Sequence, residues 1–425
     1  MHSDPSRSSG AVGKGLAIFS RFPIVAATTQ TYSLNGSPLD LKGADWFAGK
    51  AAATVLVTHP VLGRVQVFNT HVCLLPSLQT PIILISGQFF SEGGDDGPEH
   101  NRAHRLVNAW EFAKLVKQSA EFGRYVIAVC LYFQEVIILP YALQAGDFNS
   151  VPSTLPMTVV LHHAGLTDAW ASLHPPPELS QVGGSHVNPV DAISLYGFTH
   201  DSPLNSYSAS ERLDAHAPAP QGKRLDYVLF RNPAHPPSTF SSPSPASPPQ
   251  LVPIEARVML TDLVPGYAFS YSDHFGVEAT FRIEHSELKK NPLFPDDSAD
   301  GKVPSIASTT AAPYPSIQHL SHQDALTVLD ALRTHLKHSD VRARCELGIA
   351  MACVIFLVCV LIGTAWSPEG FLTPLFVFLS MVMTWLGTTM FYVGFLYGRW
   401  EANALQNVIE EMELYVQSNG SGEYY

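Results

Sequence analysis

Four short polar patterns hold residue types that together could move protons and bind a cation. They are Asn69-Thr70-His71, Gly146-Asp147-Phe148-Asn149, Arg224-Leu225-Asp226-Tyr227-Val228 and Ser272-Asp273-His274-Phe275. Each opens or follows a strand-like run, so its polar side chains would emerge at a strand end. Taken singly, a loop Asp-x-Asn is usually a turn whose side chains bond nearby backbone. A lone His in apolar surroundings is usually a satisfied core residue. Taken together, the four make a kit. Asp147 and Asn149 offer hard oxygen atoms suited to Mg²⁺ or to an attacking water. Asp226 and Asp273-His274 can make an imidazole held by a carboxylate, which fixes the tautomer and raises basicity. His71 is a second imidazole, able to donate to a phosphoryl oxygen. This set suffices for metal-assisted attack of water on a phosphodiester, with the leaving oxygen's charge stabilised by the metal.

The elements that must position these groups occupy the first two-thirds of a 425-residue chain. Residues 1–284 read as a mixed α/β domain. Gly15–Ser20, Ala51–Thr58, Arg64–Thr70, Arg224–Phe230, Ile254–Thr261 and Gly276–Ile283 are apolar and β-branched enough for strands. Glu99–Phe122 reads as an amphipathic helix after Pro98, with Leu106, Ala109, Trp110, Ala113 and Val116 on one face. Many strands with few helices between them favour a sandwich of sheets with outer helices over a doubly wound parallel sheet. Residues 232–250 are a Pro/Ser-rich surface loop and 285–320 a polar linker.

The charge and the C-terminal third bound the partners. With 25 Lys+Arg against 37 Asp+Glu, the chain lacks the basic face that a nucleic-acid coat needs. Its five cysteines form no disulfide scaffold, which suits a reducing compartment. Ser321 caps an expected juxtamembrane amphipathic helix over 321–344, carrying Leu326, Leu329, Leu332 and Leu336. Two apolar runs follow, Cys345–Trp366 and Phe371–Gly398, each long enough to cross a bilayer. Basic residues flank this hairpin (345–398) and are missing from its turn, which places both termini, including the tail 399–425, in the cytosol. The expectation is a multi-pass protein of the endoplasmic reticulum or the mitochondrial membrane, near anionic phospholipids. Nothing in the sequence identifies a protein partner.

The ordered set resembles the endonuclease/exonuclease/phosphatase superfamily, and within it the neutral sphingomyelinases, especially the fungal inositol phosphosphingolipid phospholipase C type. The residues that carry the likeness are Gly15–Ile24 (GLAIFSRFPI), Asp45–Ala51 (DWFAGKA), and His104-Arg105 through Trp110-Glu111. The resemblance implies a four-layer α/β sandwich followed by a membrane hairpin. It implies a Mg²⁺-dependent hydrolysis of inositol phosphosphingolipids or sphingomyelin to ceramide and a phosphorylated headgroup, in sphingolipid breakdown. Carried over by motif, His274 is the general base and Asp226 orients it, while Asp147 and Asn149 bind the attacked phosphate and water. His71 stabilises the transition state or helps the ceramide oxygen leave, Asp273 supports the metal, and Lys14 falls in a region tied to substrate or lipid-dependent activation.

Two departures bear on activity. The family's principal metal ligands, a Glu in a Gln-Glu-Val motif and an earlier Asn, are absent from the fourteen residues before Gly15, so the domain is expected to be N-terminally truncated. Gln134-Glu135-Val136 occurs in another context and reads as coincidence. Val72–Gln88 and Val129–Gln144 interrupt the pattern; both begin Val-Cys and end in Gln, as translated introns would. The alternative is a pair of lipid-facing insertions. Besides the sphingolipid phospholipase C, two readings stay open: an inactive truncated member, and another superfamily enzyme such as a nuclease or phosphoinositide phosphatase.

Overall fold

The computed structural model describes residues 16–40, 45–71, 99–130, 146–175, 188–208, 222–233, 248–285, 319–366 and 370–420. Lys14, all of 72–88 and residues 131–144 of the second interrupting segment lie outside them.

The chain first lays down an antiparallel sheet: β1 (Ile24–Thr31), a short α1 (Asp45–Ala48), β2 (Ala51–His59) and β3 (Gly63–His71). Residues 16–20, expected as a strand, form no regular strand. The long helix α2 (Glu99–Glu121) then carries the chain back so that β4 (Tyr125–Cys130) pairs with β3 in parallel. Next come β5 (Gly146–Asp147), α3 (Leu155–Thr158), β6 (Thr167–Asp168), α4 (Ala169–Leu173), α5 (Pro189–Tyr196) and β7 (Asp226–Arg231). The strand order is β1-β2-β3-β4-β7-β5, with β6 also on β7. A separate two-stranded sheet, β8 (Gln250–Met259) and β9 (Gly276–Glu284), completes the domain.

Both faces of the large sheet are covered, and the strand sequences show it. In β3, Val65, Gln66, Phe68, Asn69 and Thr70 are all buried, a near-continuous run in place of a polar–apolar alternation. Phe68 joins Val126 and Ala128 of β4 in a core under α2, while Val65 packs with Tyr125, Val228, Leu251 and Val277 between the two sheets. The helix α4 contributes Ala169 to this second core. The described residues thus form a helix layer, a large mixed sheet and a small sheet.

The helix layer is thicker than a single amphipathic α2 would make it. Leu106, Ala109, Trp110, Ala113 and Val116 face inward as their spacing predicts, yet Ala103, His104, Arg105 and Asn108 are buried as well. Their cover comes from the far end of the chain. The helix α6 (His322–Thr364) and the helix α8 (Gly398–Gly420) lie against α2 and share its core through Val328, Leu332, Leu405, Val408 and Met412. Each such side chain contributes about 1.5–3 kcal/mol by leaving water. The buried stripe of α6 runs through Ala325, Val328, Leu329 and Leu332, so Leu326 of the expected leucine stripe stands outside it.

Beyond this contact the same helix turns apolar on its outside. Val354, Ile355, Val358, Leu361 and Ile362 of α6 are exposed, as are Leu375, Phe378, Met381 and Trp385 of the antiparallel-running α7 (Thr373–Phe391). Two helical segments are therefore long and apolar enough to cross a membrane. A π-helical turn, Tyr392–Tyr397, links α7 to α8. Gly394 in it lies so close to α6 that a Cβ there would sit 2.8 Å from the Ala343 carbonyl oxygen.

Candidate active site

The strand β7 is the element around which the site is assembled. It begins at Asp226, directly opposite Asp147 of β5 in the antiparallel register. The Phe148 amide donates to the Leu225 carbonyl at 2.8 Å, so the chain leaving β5 stays on β7 for one residue more. Asn149 follows in a left-handed backbone conformation, φ +48°, and is buried. Asn is among the few residues that adopt this region readily. Tyr227 locks the arrangement, its hydroxyl within hydrogen-bond distance of the Ser150 and Arg224 carbonyl oxygens at 2.7 and 2.9 Å.

His274 arrives on the loop leading into β9. Its Nδ1 lies 2.7 Å from Asp226 Oδ2, with the two side chains only 8% and 2% exposed. The carboxylate accepts the Nδ1 proton, so the basic lone pair belongs to Nε2. Such an imidazole can take a proton from water while the carboxylate stabilises the resulting cation. Two sequence-distant residues set the alignment. Thr199 accepts from the Leu225 amide through Oγ1 at 3.2 Å, and its carbonyl accepts from the Phe275 amide at 2.8 Å. Asn205 donates to the Ser272 carbonyl at 2.9 Å. Thr199 and Asn205 are fully buried, and neither was singled out by motif.

His200 is a third residue that sequence reasoning missed. Its ring lies 4.3 Å from that of His274, and its Nδ1 lies 2.8 Å from Asp201. Burial pushes the Asp201 carboxyl up, but the hydrogen bond from His200 and the charge of Lys223 outweigh it and hold Asp201 below the ordinary carboxylate range. The available signal was a polar Thr-His-Asp triplet just after Gly197, which closes α5 at φ +69°. Only glycine fits there, because a Cβ would meet the Trp170 ring at 2.7 Å.

The expected site residues stand as follows. Asp226 and His274 are brought into direct contact, and the backbone of Asp147 lies opposite Asp226. Asp273 accepts from Ser272 Oγ at 3.0 Å. His71 ends β3, which packs alongside β5. Lys14 lies outside the described residues.

The donors available to a metal are of two kinds. Asn149 and Asp273 supply hard oxygens, the chemistry that Mg²⁺ prefers. His200, Asp273 and His274 place one ligand atom each within 4.8 Å of one another, a mixed set that would also take softer ions. The residues present therefore fit a divalent cation.

Behind the site, Arg224 pairs with Asp168 at 2.6 Å, both side chains over 90% buried. The guanidinium also lies over the Tyr227 ring, 4.6 Å from its centroid. Asp168 uses its other oxygen to cap α4, accepting from the Trp170 and Ala171 amides. This pair fixes the start of β7, and with it Asp226.

Known proteins are similar to this chain in sequence. Residues 2–274 match the Endonuclease/Exonuclease/phosphatase family. An inositol phosphosphingolipids phospholipase C of Schizosaccharomyces pombe is 27% identical over 95% of this chain and 78% of its own. The protein of the same name from Saccharomyces cerevisiae is 25% identical over 94% of this chain and 70% of its own. Sphingomyelin phosphodiesterase 2 of Homo sapiens is 26% identical over 67% of this chain and 51% of its own. Members of the family are metal-dependent hydrolases. With the family pattern spanning residues 2–274 and the His274–Asp226 pair near its end, the chain belongs to the Endonuclease/Exonuclease/phosphatase family.

Proposed function

We propose that this chain is a membrane-anchored phospholipase C-type phosphodiesterase, which cleaves inositol phosphosphingolipids or sphingomyelin to ceramide and a phosphorylated headgroup. The observation that carries the reading is the buried His274–Asp226 pair, set at the start of β7 opposite Asp147. The names of the relatives supply the substrate class.

In this reading His274 Nε2 takes the proton of the attacking water, and Asp226 holds the ring and compensates the charge it gains. Asn149 and Asp147 orient the phosphate and the water. His71 donates toward the leaving ceramide oxygen. Asp273, with Asp147 and Asn149, would hold Mg²⁺, which supplies charge compensation at the phosphoryl oxygens when bound. Thr199 and Asn205 keep the His274 loop in register with β7. The apolar halves of α6 and α7 form a hairpin across the bilayer, with both chain ends in the cytosol, so the site stays near the headgroups of its substrate. Residues 1–284 form the catalytic domain and 285–320 the linker.

The test is ceramide release from inositol phosphosphingolipid and from sphingomyelin, in mixed micelles containing an anionic lipid, with Mg²⁺ present or chelated. Release that requires Mg²⁺ and is lost in His274→Ala is expected. Equal release by His274→Ala, or release from neither lipid, would overturn the reading.

A further inference from the structure

The residues His104, Trp110 and Glu111 of α2 mark the family likeness but have no place in the chemistry above. The structure gives them partners. His104 Nε2 lies 2.9 Å from Glu401 of α8, which is fully buried. The same carboxylate meets His335 at 3.3 Å and also takes Ser339 and Arg342, all from α6. Trp110 Nε1 donates to Glu411 of α8 at 2.7 Å, and Lys114 pairs with it at 2.6 Å. Glu111 accepts from the backbone and hydroxyl of Ser33.

The Glu401 cluster groups two imidazoles and a carboxylate, yet its hydrogen bonds argue against a metal. The Gly36 amide donates to His104 Nδ1 at 3.1 Å. That fixes the remaining ring proton on Nε2, where it is given to Glu401, so no lone pair is left there for an ion. Arg342 supplies the compensating charge.

From Gly36 the bonds continue into the catalytic sheet. The Gly36 carbonyl accepts from the Tyr397 hydroxyl, at the end of the π-helical turn, at 2.7 Å. Asn35 accepts from the Lys50 amide at 3.0 Å, and the Lys50 carbonyl accepts from the Tyr32 amide at 3.0 Å. Thr70 donates its hydroxyl proton to the Ala51 carbonyl. The Tyr32 hydroxyl, 2.5 Å away, therefore donates to Thr70 Oγ1. Thr70 directly precedes His71 in β3. A run of satisfied, mostly buried hydrogen bonds thus joins the base of the apolar hairpin to the strand that ends in His71.

We propose that Glu401 and Tyr397 are positioning residues, which hold the Tyr32–Lys50 segment through Gly36 and so set the end of β3 for catalysis. The inference rests on the phosphodiesterase reading only for its kinetic consequence. What it claims of the backbone stands apart from activity. The coupling offered is a static strut, each link a specific contact, rather than a signal between two states.

The full chain in mixed micelles tests it, with Tyr397→Phe, Glu401→Ala and Glu411→Ala. Glu411→Ala breaks an α2–α8 contact that has no link to Gly36, so it reports what loosening the interface alone does. Tyr397→Phe and Glu401→Ala should each speed amide exchange at Gly36 and Lys50 about fivefold, the loss of one hydrogen bond. Each should also lower kcat toward the soluble diester bis(4-nitrophenyl) phosphate by about fivefold or more at unchanged KM. Glu411→Ala should lower the melting temperature and change neither. Exchange at Gly36 and Lys50 that is unaltered in Tyr397→Phe, or altered equally by Glu411→Ala, overturns the proposal. Should wild type and His274→Ala both be inactive, the functional reading fails, and the exchange data alone decide the strut. Should Glu401→Ala fail to fold, Tyr397→Phe, which removes one hydroxyl, carries the test.

Discussion

Asp226→Asn is the substitution that tests the dyad most sharply. The amide has the carboxylate's shape, so packing around a side chain only 2% exposed is retained. What changes is the proton arrangement. In the native pair the Nδ1 proton goes to Oδ2 at 2.7 Å. A hydrogen bond to a charged group contributes about 1.5–3 kcal/mol, which at 1.36 kcal/mol per decade is about 10- to 150-fold in rate. The asparagine can also present an N–H to the ring. His274 must then accept at Nδ1 and carry its proton on Nε2, where the base is needed. This wrong tautomer can deepen the loss to about 10⁴-fold. The assay is Mg²⁺-dependent ceramide release across substrate concentrations, beside a melting curve. The expected result is a fall in kcat with KM nearly unchanged and melting within a few degrees of wild type. A kcat within about threefold of wild type, or a loss confined to KM, would refute the orienting role of Asp226.

Two further predictions concern what holds the site in place. Asp168→Ala removes one partner of a buried ion pair and a helix cap together, and should cost about 3–5 kcal/mol plus about 1 kcal/mol, read as a lower urea midpoint. Asp168→Asn keeps the cap acceptor and should lose less; equal losses would show that the cap contributes little and that the loss belongs to the pair with Arg224. The third is a pH dependence. His163 stacks on Trp110 at 4.1 Å, and burial, with Lys117 and Lys114 nearby, lowers its pKa from 6.5 to about 4. The folded form therefore refuses a proton that the unfolded chain accepts. Its contribution is present above pH 6.5 and is lost as the pH falls toward 4, reaching about 3 kcal/mol. Melting temperature against pH should fall less steeply over this window in His163→Gln than in wild type, and superimposable curves would rule the residue out as the source.

What the sequence made legible was what local pattern records. One face of α2 follows from apolar spacing, and the four polar patterns lie at strand ends, where chemistry is reachable. Asp226 and His274, 48 positions apart, could be named as partners because their residue types require each other. Thr199 and Asn205 could not, since their partners are backbone groups that any residue carries: a threonine that bridges two segments reads like any other threonine. His200 was hidden for a similar reason, its neighbour being set by the His200–Lys223 bridge and the Phe275 amide on the Thr199 carbonyl and not by spacing. The second covered face of α2 was also illegible. His104, Arg105 and Asn108 look like a solvent face, and only the return of α6 and α8 explains why they are buried.

The unbroken length of α6 has a consequence for movement. Its 43 residues span about 65 Å at 1.5 Å each, of which a bilayer's apolar interior takes about 30 Å. The remaining half packs into the core that α2 and the large sheet form. With the apolar half in a bilayer, the domain stands on a stalk that is also its own backbone, and it neither swivels nor changes height. It would meet lipids by lateral diffusion, presenting one heading to the surface, and the length of the linker 285–320 would not alter its reach. Because α7 and α8 return against α6, with Gly394 packed on Ala343, inserting a single residue near Cys345 would turn the domain-facing part of α6 by about 100° relative to its apolar part and set it out of register with α8.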